Sequence, residues 1–141
     1  MEGIMKLLET GYLGSCKLRN RAVMTSMTTG YAGLDGAPTE QLCRYYEERA
    51  KGGVGLIVTE IFRLNNDHGV AFPRQLDALN PMNVQPLAQM TAGVHQYGAT
   101  IFAQLHHGGS TNAPEMNHGR IVAPSAIPNV SGIMPEPLTI E

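Results

Sequence analysis

Three short apolar runs, each ending in polar residues, are separated by two stretches of helical periodicity. The first run, Arg21 to Met27, climbs through Ala22, Val23 and Met24 and finishes among Thr25, Ser26, Thr28 and Gly30. The second, Val54 to Glu60, closes on Thr59 and Glu60; the third, Ala99 to Leu105, passes through Gln104 into His106 and His107. Continuous apolar runs bounded by turn residues predict strands buried on both faces, as in parallel sheets.

Between the first two runs, Thr39 after Pro38 is an N-cap, and Glu40 complements the helix dipole. The helix should reach Lys51 with Leu42, Tyr45, Tyr46 and Ala50 on its inner face, and Gly52-Gly53 should stop it. A second helix is expected from Asn83 to Tyr97, where Val84, Leu87, Met90 and Val94 recur at helical spacing and Gly98 ends the pattern.

Ahead of the first strand, Lys6 to Leu18 reads as a hairpin turning at Gly14-Ser15. Ile61 to Asn80 is a long connection with little periodicity, of the kind that is usually functional or mobile. The tail from Gly108 to Glu141 carries five prolines and one short apolar run, Ile121-Val122-Ala123, and predicts irregular structure with at most a short strand or hairpin. Strands alternating with helices call for a parallel sheet with right-handed crossovers. All three strand ends then carry polar groups at the C-terminal edge, where α/β folds gather their ligands.

Composition narrows the function classes. With 141 residues the chain is the size of one domain, and a net charge of −2 offers no basic stripe for nucleic acid. No apolar run approaches a membrane span, and the N-terminus lacks a secretory apolar segment. Cys16 and Cys43 match no metal spacing, and a reducing cytoplasm is the simplest compartment.

Several side chains invite a chemical role. His106 and His107 are adjacent, so as strand residues they face opposite sides and cannot easily share a metal. Glu60 could serve as a general base, although a carboxylate at a strand end is more often pinned by backbone amides or an arginine. Tyr45 and Tyr46 read as core and boundary aromatics, and Tyr31 lies in the loop after the first strand.

Longer stretches carry a resemblance. Asn20-Arg21-Ala22-Val23-Met24, Asp35-Gly36, Tyr45-Tyr46-Glu47-Glu48-Arg49-Ala50, Gly52-Gly53-Val54-Gly55-Leu56-Ile57-Val58-Thr59-Glu60, Val94-His95, Gln104-Leu105-His106-His107-Gly108-Gly109 and Ala123-Pro124-Ser125 occur in one order and spacing. Together they resemble the amino-terminal part of the Old Yellow Enzyme family, the FMN-dependent ene-reductases built on a (β/α)8 TIM barrel. The segment Met24 to Gly30 is most similar to the bacterial branch of NADH:flavin oxidoreductases that contains 2,4-dienoyl-CoA and enoate reductases.

The resemblance implies an α/β fold: a partial (β/α)8 barrel, with an N-terminal hairpin and about three parallel βα units across residues 1–141. It implies FMN as cofactor, NAD(P)H as reductant, and a small-molecule alkene as substrate. Carried over by position, Ser26, Met27 and Thr28 would line the flavin, with the Thr28 hydroxyl donating to flavin O4. Gln104 would bond the pyrimidine edge through an amide that both donates and accepts. Ile61, after Glu60, would approach the flavin by its backbone.

Two positions depart from the family pattern. Ile61 replaces a usually small residue, and the usual His-x-Gly-Arg reads His107-Gly108-Gly109-Ser110, without its arginine. A full barrel needs about 250 residues and eight strands, so the chain reads as an N-terminal portion that is inactive alone. The catalytic residues, the barrel's phosphate-gripping loops and any iron–sulfur cluster are expected beyond residue 141. Exposed sheet edges predict self-association. The rival reading is a flavin-free half-barrel serving as a structural or interaction module.

Overall fold

Thr39 has extended backbone, and its hydroxyl accepts the Leu42 amide at 3.3 Å. That cap opens helix α1, Glu40–Lys51. Gly52 caps the other end and Gly53 leaves it at φ +103°, where any side chain would be strained. The computed structural model describes residues 6–140. Within it, strands β1 (Gly11–Leu13) and β2 (Cys16–Leu18) form the expected antiparallel hairpin, turning at Gly14 with φ +56°. Residues 6–8 are helical, so the hairpin is shorter than the Lys6–Leu18 expectation.

Strand β3 (Val23–Met24) pairs in parallel with β4 (Leu56–Arg63), and β4 pairs in parallel with β6 (Thr100–His106) on its other side. A two-residue strand β5 (Leu76–Asp77) joins the far end of β4 at Phe62 and Arg63. Helix α2 spans Val84–Gln96, and Gly98 turns the chain into β6 at φ +71°. Two strands end the described chain: β7 (Val122–Ala123) and β8 (Glu136–Pro137) form a short parallel pair, not a hairpin.

The helices cover one face of this sheet. Leu42, Tyr46 and Ala50 from α1 and Met90 and Val94 from α2 pack with Ile57, Phe62 and Leu76 into one buried cluster. Val84, expected inside, is 63% exposed at the first turn of α2. On the other face Leu56 is buried, but its partner Val23 and, on β6, Phe102 are exposed. Leu105, beside Phe62 on the helix side, is exposed as well, so β3 and β6 are not the doubly buried strands their apolar runs predict. Such runs suit a barrel strand, whose inner face is covered only when further strands lie opposite.

The strand β4 differs from expectation in another way. It continues through Ile61, Phe62 and Arg63, residues assigned above to a loop. Against β6 it advances from Val58 to Ile61 while β6 moves only from Phe102 to Gln104. One extra residue is thus accommodated as a bulge at Thr59-Glu60. The bulge explains why Ile57 and Phe62, an odd number of positions apart, both reach the helix-facing core; strict alternation would put them on opposite faces. The Thr59 hydroxyl accepts the Gln104 amide at 3.3 Å, filling the gap the bulge leaves in the ladder.

At the opposite end of the strands, Arg19 ties the elements together. Its guanidinium donates to Val54 O (3.1 Å from Nε) and Ala50 O (2.6 Å), and also to Tyr97 O. Those carbonyls lie at or just past the C-termini of α1 and α2, where a cation also meets the negative end of the helix dipole. Beside it, Asn20 Nδ2 donates to Gly53 O at 2.7 Å. A Cβ on Gly55 would lie 2.5 Å from Asn20 O, so only glycine fits there.

Candidate functional site

The C-terminal edge of the sheet brings together residues from three strands. Ser26, two residues past β3, donates its hydroxyl to Oε1 of Gln104 in β6. Ile61 of β4 is the ladder partner of Gln104. Three of the five positions expected to hold a flavin, Ser26, Ile61 and Gln104, are therefore neighbours. Met27 is 60% exposed and Thr28 is also exposed. Both continue the same loop, but neither side chain hydrogen-bonds to a described residue.

Below that loop sits Glu60, with no solvent exposure. Its Oε2 accepts from the Thr29 amide at 2.8 Å and the Thr29 hydroxyl at 2.5 Å. The carboxylate is thus pinned by one backbone amide and a hydroxyl, not by an arginine. Its own N–H donates to the Tyr46 hydroxyl at 2.7 Å. Burial, above all, pushes the Tyr46 phenol well up, so it stays neutral. Tyr45 is half-buried, meets Tyr46 edge-on, and carries the Arg49 guanidinium 3.6 Å over its ring.

Where β4 ends, Arg63 pairs with Asp77 of β5; their side chains are 17% and 2% exposed. Burial alone would raise the Asp77 carboxyl. Arg63 and the amides of Leu79 and Asn80 outweigh it and hold the group below the ordinary carboxylate range. Arg63 is also the ladder partner of His106. Nε of the one and Nδ1 of the other are buried without a partner among the described residues.

Above these ends, the loop after β4 is stitched to the loop after β6. Asn117 clamps Val70 on both backbone groups, receiving its N–H at 2.9 Å and donating to its carbonyl at 2.7 Å. Asn112 Nδ2 donates to His68 O at 2.6 Å. The rings of His68 and His107 share a hydrogen bond of 2.9 Å between Nδ1 and Nε2. His106 and His107 thus go separate ways, as their adjacency predicts. Burial first, then the neighbouring His68 and His106, lowers His107 from its ordinary value. No periodicity marks these contacts in the sequence; isolated Asn and His residues in a proline-rich tail give no sign of what they touch.

Among the described residues, no group of three or more His, Cys, Asp or Glu lies close enough to hold a metal ion, and no helix is long and apolar enough to cross a membrane. The donor set at the sheet edge fits the polar rim of an isoalloxazine. With Oε1 occupied by Ser26, the Gln104 amide keeps two N–H donors free of described partners. The arrangement can orient a flat heteroaromatic ring and leaves the hydride chemistry to that ring.

The profile of the NADH:flavin oxidoreductase / NADH oxidase family matches residues 7–134. The chain is 38% identical over 136 residues to an NADH oxidase of Thermoanaerobacter brockii, covering 95% of this chain and 21% of that protein. It is 37% identical over 136 residues to a cinnamate reductase of Clostridium sporogenes, covering 92% of this chain and 20% of that one. The old yellow enzyme homologue from Zymomonas mobilis superposes with a TM-score of 0.84 at 28% identity, over 96% of this chain and 40% of that structure. The old yellow enzyme from Trypanosoma cruzi gives 0.84 at 29% identity, over 98% and 43%. The chain therefore spans about a fifth of these sequence relatives and about two fifths of these structures. Those structures are TIM barrels, and the parallel sheet with its two helices is a part of one.

Proposed function

The chain belongs to the NADH:flavin oxidoreductase / NADH oxidase family, and on that premise we propose that residues 1–141 are the N-terminal portion of an FMN-binding barrel domain in an ene-reductase. The observation that carries this reading is the Ser26–Gln104 hydrogen bond across β4. Two polar side chains from separate strands converge where α/β barrels bind their ligands.

Gln104 would present its amide N–H groups to the pyrimidine edge of the flavin, with Ser26 fixing the rotation of that amide. Thr28 would place a hydroxyl at the same edge, and Met27 would lie against a ring face. Ile61 would flank Gln104 through its side chain, since a branched residue there bars close approach of bare backbone. Bound FMN supplies hydride transfer from a reduced nicotinamide nucleotide to an activated C=C bond. The relative named cinnamate reductase supports a small conjugated alkene as substrate. Two half-exposed free cysteines, Cys16 and Cys43, suit a cytoplasmic setting.

A partial barrel lacks the late-strand loops that usually grip a phosphate, so the isolated chain should bind FMN weakly and oxidise no NADH above background. Exposed Val23, Met27, Phe102 and Leu105 should also drive self-association, visible as dimers or larger species in light scattering. The test of the main reading is titration of FMN with purified chain. Quenching of flavin fluorescence is expected; a colourless protein that ignores FMN would instead support the flavin-free structural module.

A further inference from the structure

Glu60 is fully buried, and the activity proposed above gives it no part in the chemistry. Its hydrogen bonds form a continuous line. From the β4 bulge, Oε2 grips both the amide and the hydroxyl of Thr29. That hydroxyl in turn accepts the Tyr31 amide at 3.1 Å. The Tyr31 carbonyl receives the hydroxyl of Thr39, the N-cap of α1, at 2.5 Å. The Tyr31 ring meets Tyr45 edge-on at 6.0 Å. This hydrogen-bonded line from β4 to the N-cap of α1 thus runs through Thr29 and Tyr31.

A buried carboxylate is costly to desolvate unless it is well hydrogen-bonded. The two contacts from Thr29 need an acceptor oxygen at the position of Oε2. Here Oε1 has no partner among the described residues, so the whole hold on Thr29 comes through Oε2. We propose that Glu60 is a positioning residue: acting through Thr29, it holds Thr28 to Tyr31 in place over the sheet edge while touching neither flavin nor substrate. Its link to flavin binding rests on the function proposed above; its grip on the loop does not.

The test compares Glu60→Asp, Glu60→Gln and Thr29→Val with the parent 141-residue chain, first by residue-resolved amide hydrogen exchange. Aspartate is one methylene short of Thr29, whereas glutamine keeps one carbonyl oxygen for it. Glu60→Asp should speed exchange at Thr29 and Tyr31 by roughly tenfold or more, with Leu42, Tyr46 and Ile57 unchanged. Glu60→Gln should keep most of that protection. Thr29→Val removes one of the two bonds to Oε2 together with the acceptor of the Tyr31 amide, so it should speed exchange most at Tyr31 and less at Thr29, which keeps its backbone bond to Glu60. Combining it with Glu60→Asp should loosen Tyr31 no further.

FMN fluorescence titration gives the second readout, in which Glu60→Asp should weaken binding several-fold and Glu60→Gln restore it. Unchanged exchange at Thr29 and Tyr31, or acceleration spread evenly over the sheet, would overturn the proposal. So would Glu60→Gln behaving like Glu60→Asp. If the parent chain ignores FMN, the flavin reading falls, and the exchange data still decide the role of Glu60.

Discussion

Ser26 and Gln104 lie 78 positions apart and on opposite sides of β4, yet the hydroxyl of the one donates to the side-chain oxygen of the other. An amide held at its oxygen has its nitrogen placed as well, so this contact turns a flexible side chain into an oriented donor.

The first prediction follows from that contact. Gln104→Ala should weaken FMN binding by about tenfold, and Ser26→Ala by less, because a hydrogen bond contributes about 1 kcal/mol net and a factor of ten is about 1.4 kcal/mol. Quenching of FMN fluorescence measures both. Identical affinities in all three proteins would remove the pair from the site.

Asp77 is the next point of leverage. Asp77→Ala leaves Arg63 largely buried without its carboxylate and frees the amides of Leu79 and Asn80. Loss of one partner from such a pair costs on the order of 3 kcal/mol or more. Urea denaturation should show a lower midpoint. Because the Asp77 carboxyl is held below its ordinary range, the pair contributes fully above about pH 4. That contribution is lost as pH falls through the depressed value.

The His68–His107 bond should respond to milder acid. Lowering of His107 means that folding favours its neutral form. The associated stability is present above the ordinary histidine value of about 6.5 and is lost as pH falls through the lowered one. His106 acts on His107 beside it, and Glu136, itself paired with Arg120, lies near enough to His68 to interact with it. Protection factors for amide exchange at His68, Val70 and Asn112, each corrected for the intrinsic rate at its pH, should fall between about pH 7 and pH 5. In His107→Gln they should stay constant across that range.

Arg19 offers a test far from the sheet edge. Its guanidinium reaches three carbonyls at once, Val54, Ala50 and Tyr97, a spread that one ammonium cannot match. Arg19→Ala should lower stability by about 2–4 kcal/mol, and Arg19→Lys should recover less than half. Full recovery by lysine would show that charge near the helix ends, not the fork, is what matters.

Legibility in the sequence varied with the range of the contacts involved. The Thr39 cap, the Gly14 turn and the Gly98 stop depend on neighbours a few positions away, and all three stand where local rules put them. The direction of the strands was legible too, since helices between strands demand crossovers. The length of β4 was not. Ile61, Phe62 and Arg63 follow a charged Glu60, and a strand with a bulge breaks the alternation by which strands are recognised. The role of Arg19 was not legible either, because its three acceptors come from segments 31 to 78 positions away.

Local chemistry along the chain therefore settled which residues coil into helices, where they stop, and that Ser26 and Gln104 fall towards the C-terminal ends of their strands. Propensity, capping and turn geometry act over a few residues and can be read in order. Only the folded chain decided that Ser26 meets Gln104, that Glu60 grips Thr29, and that His68 reaches His107. Those pairings arise from parallel strands laid side by side and from one extra residue in β4. Distance across a sheet has no counterpart in the spacing of letters along a sequence.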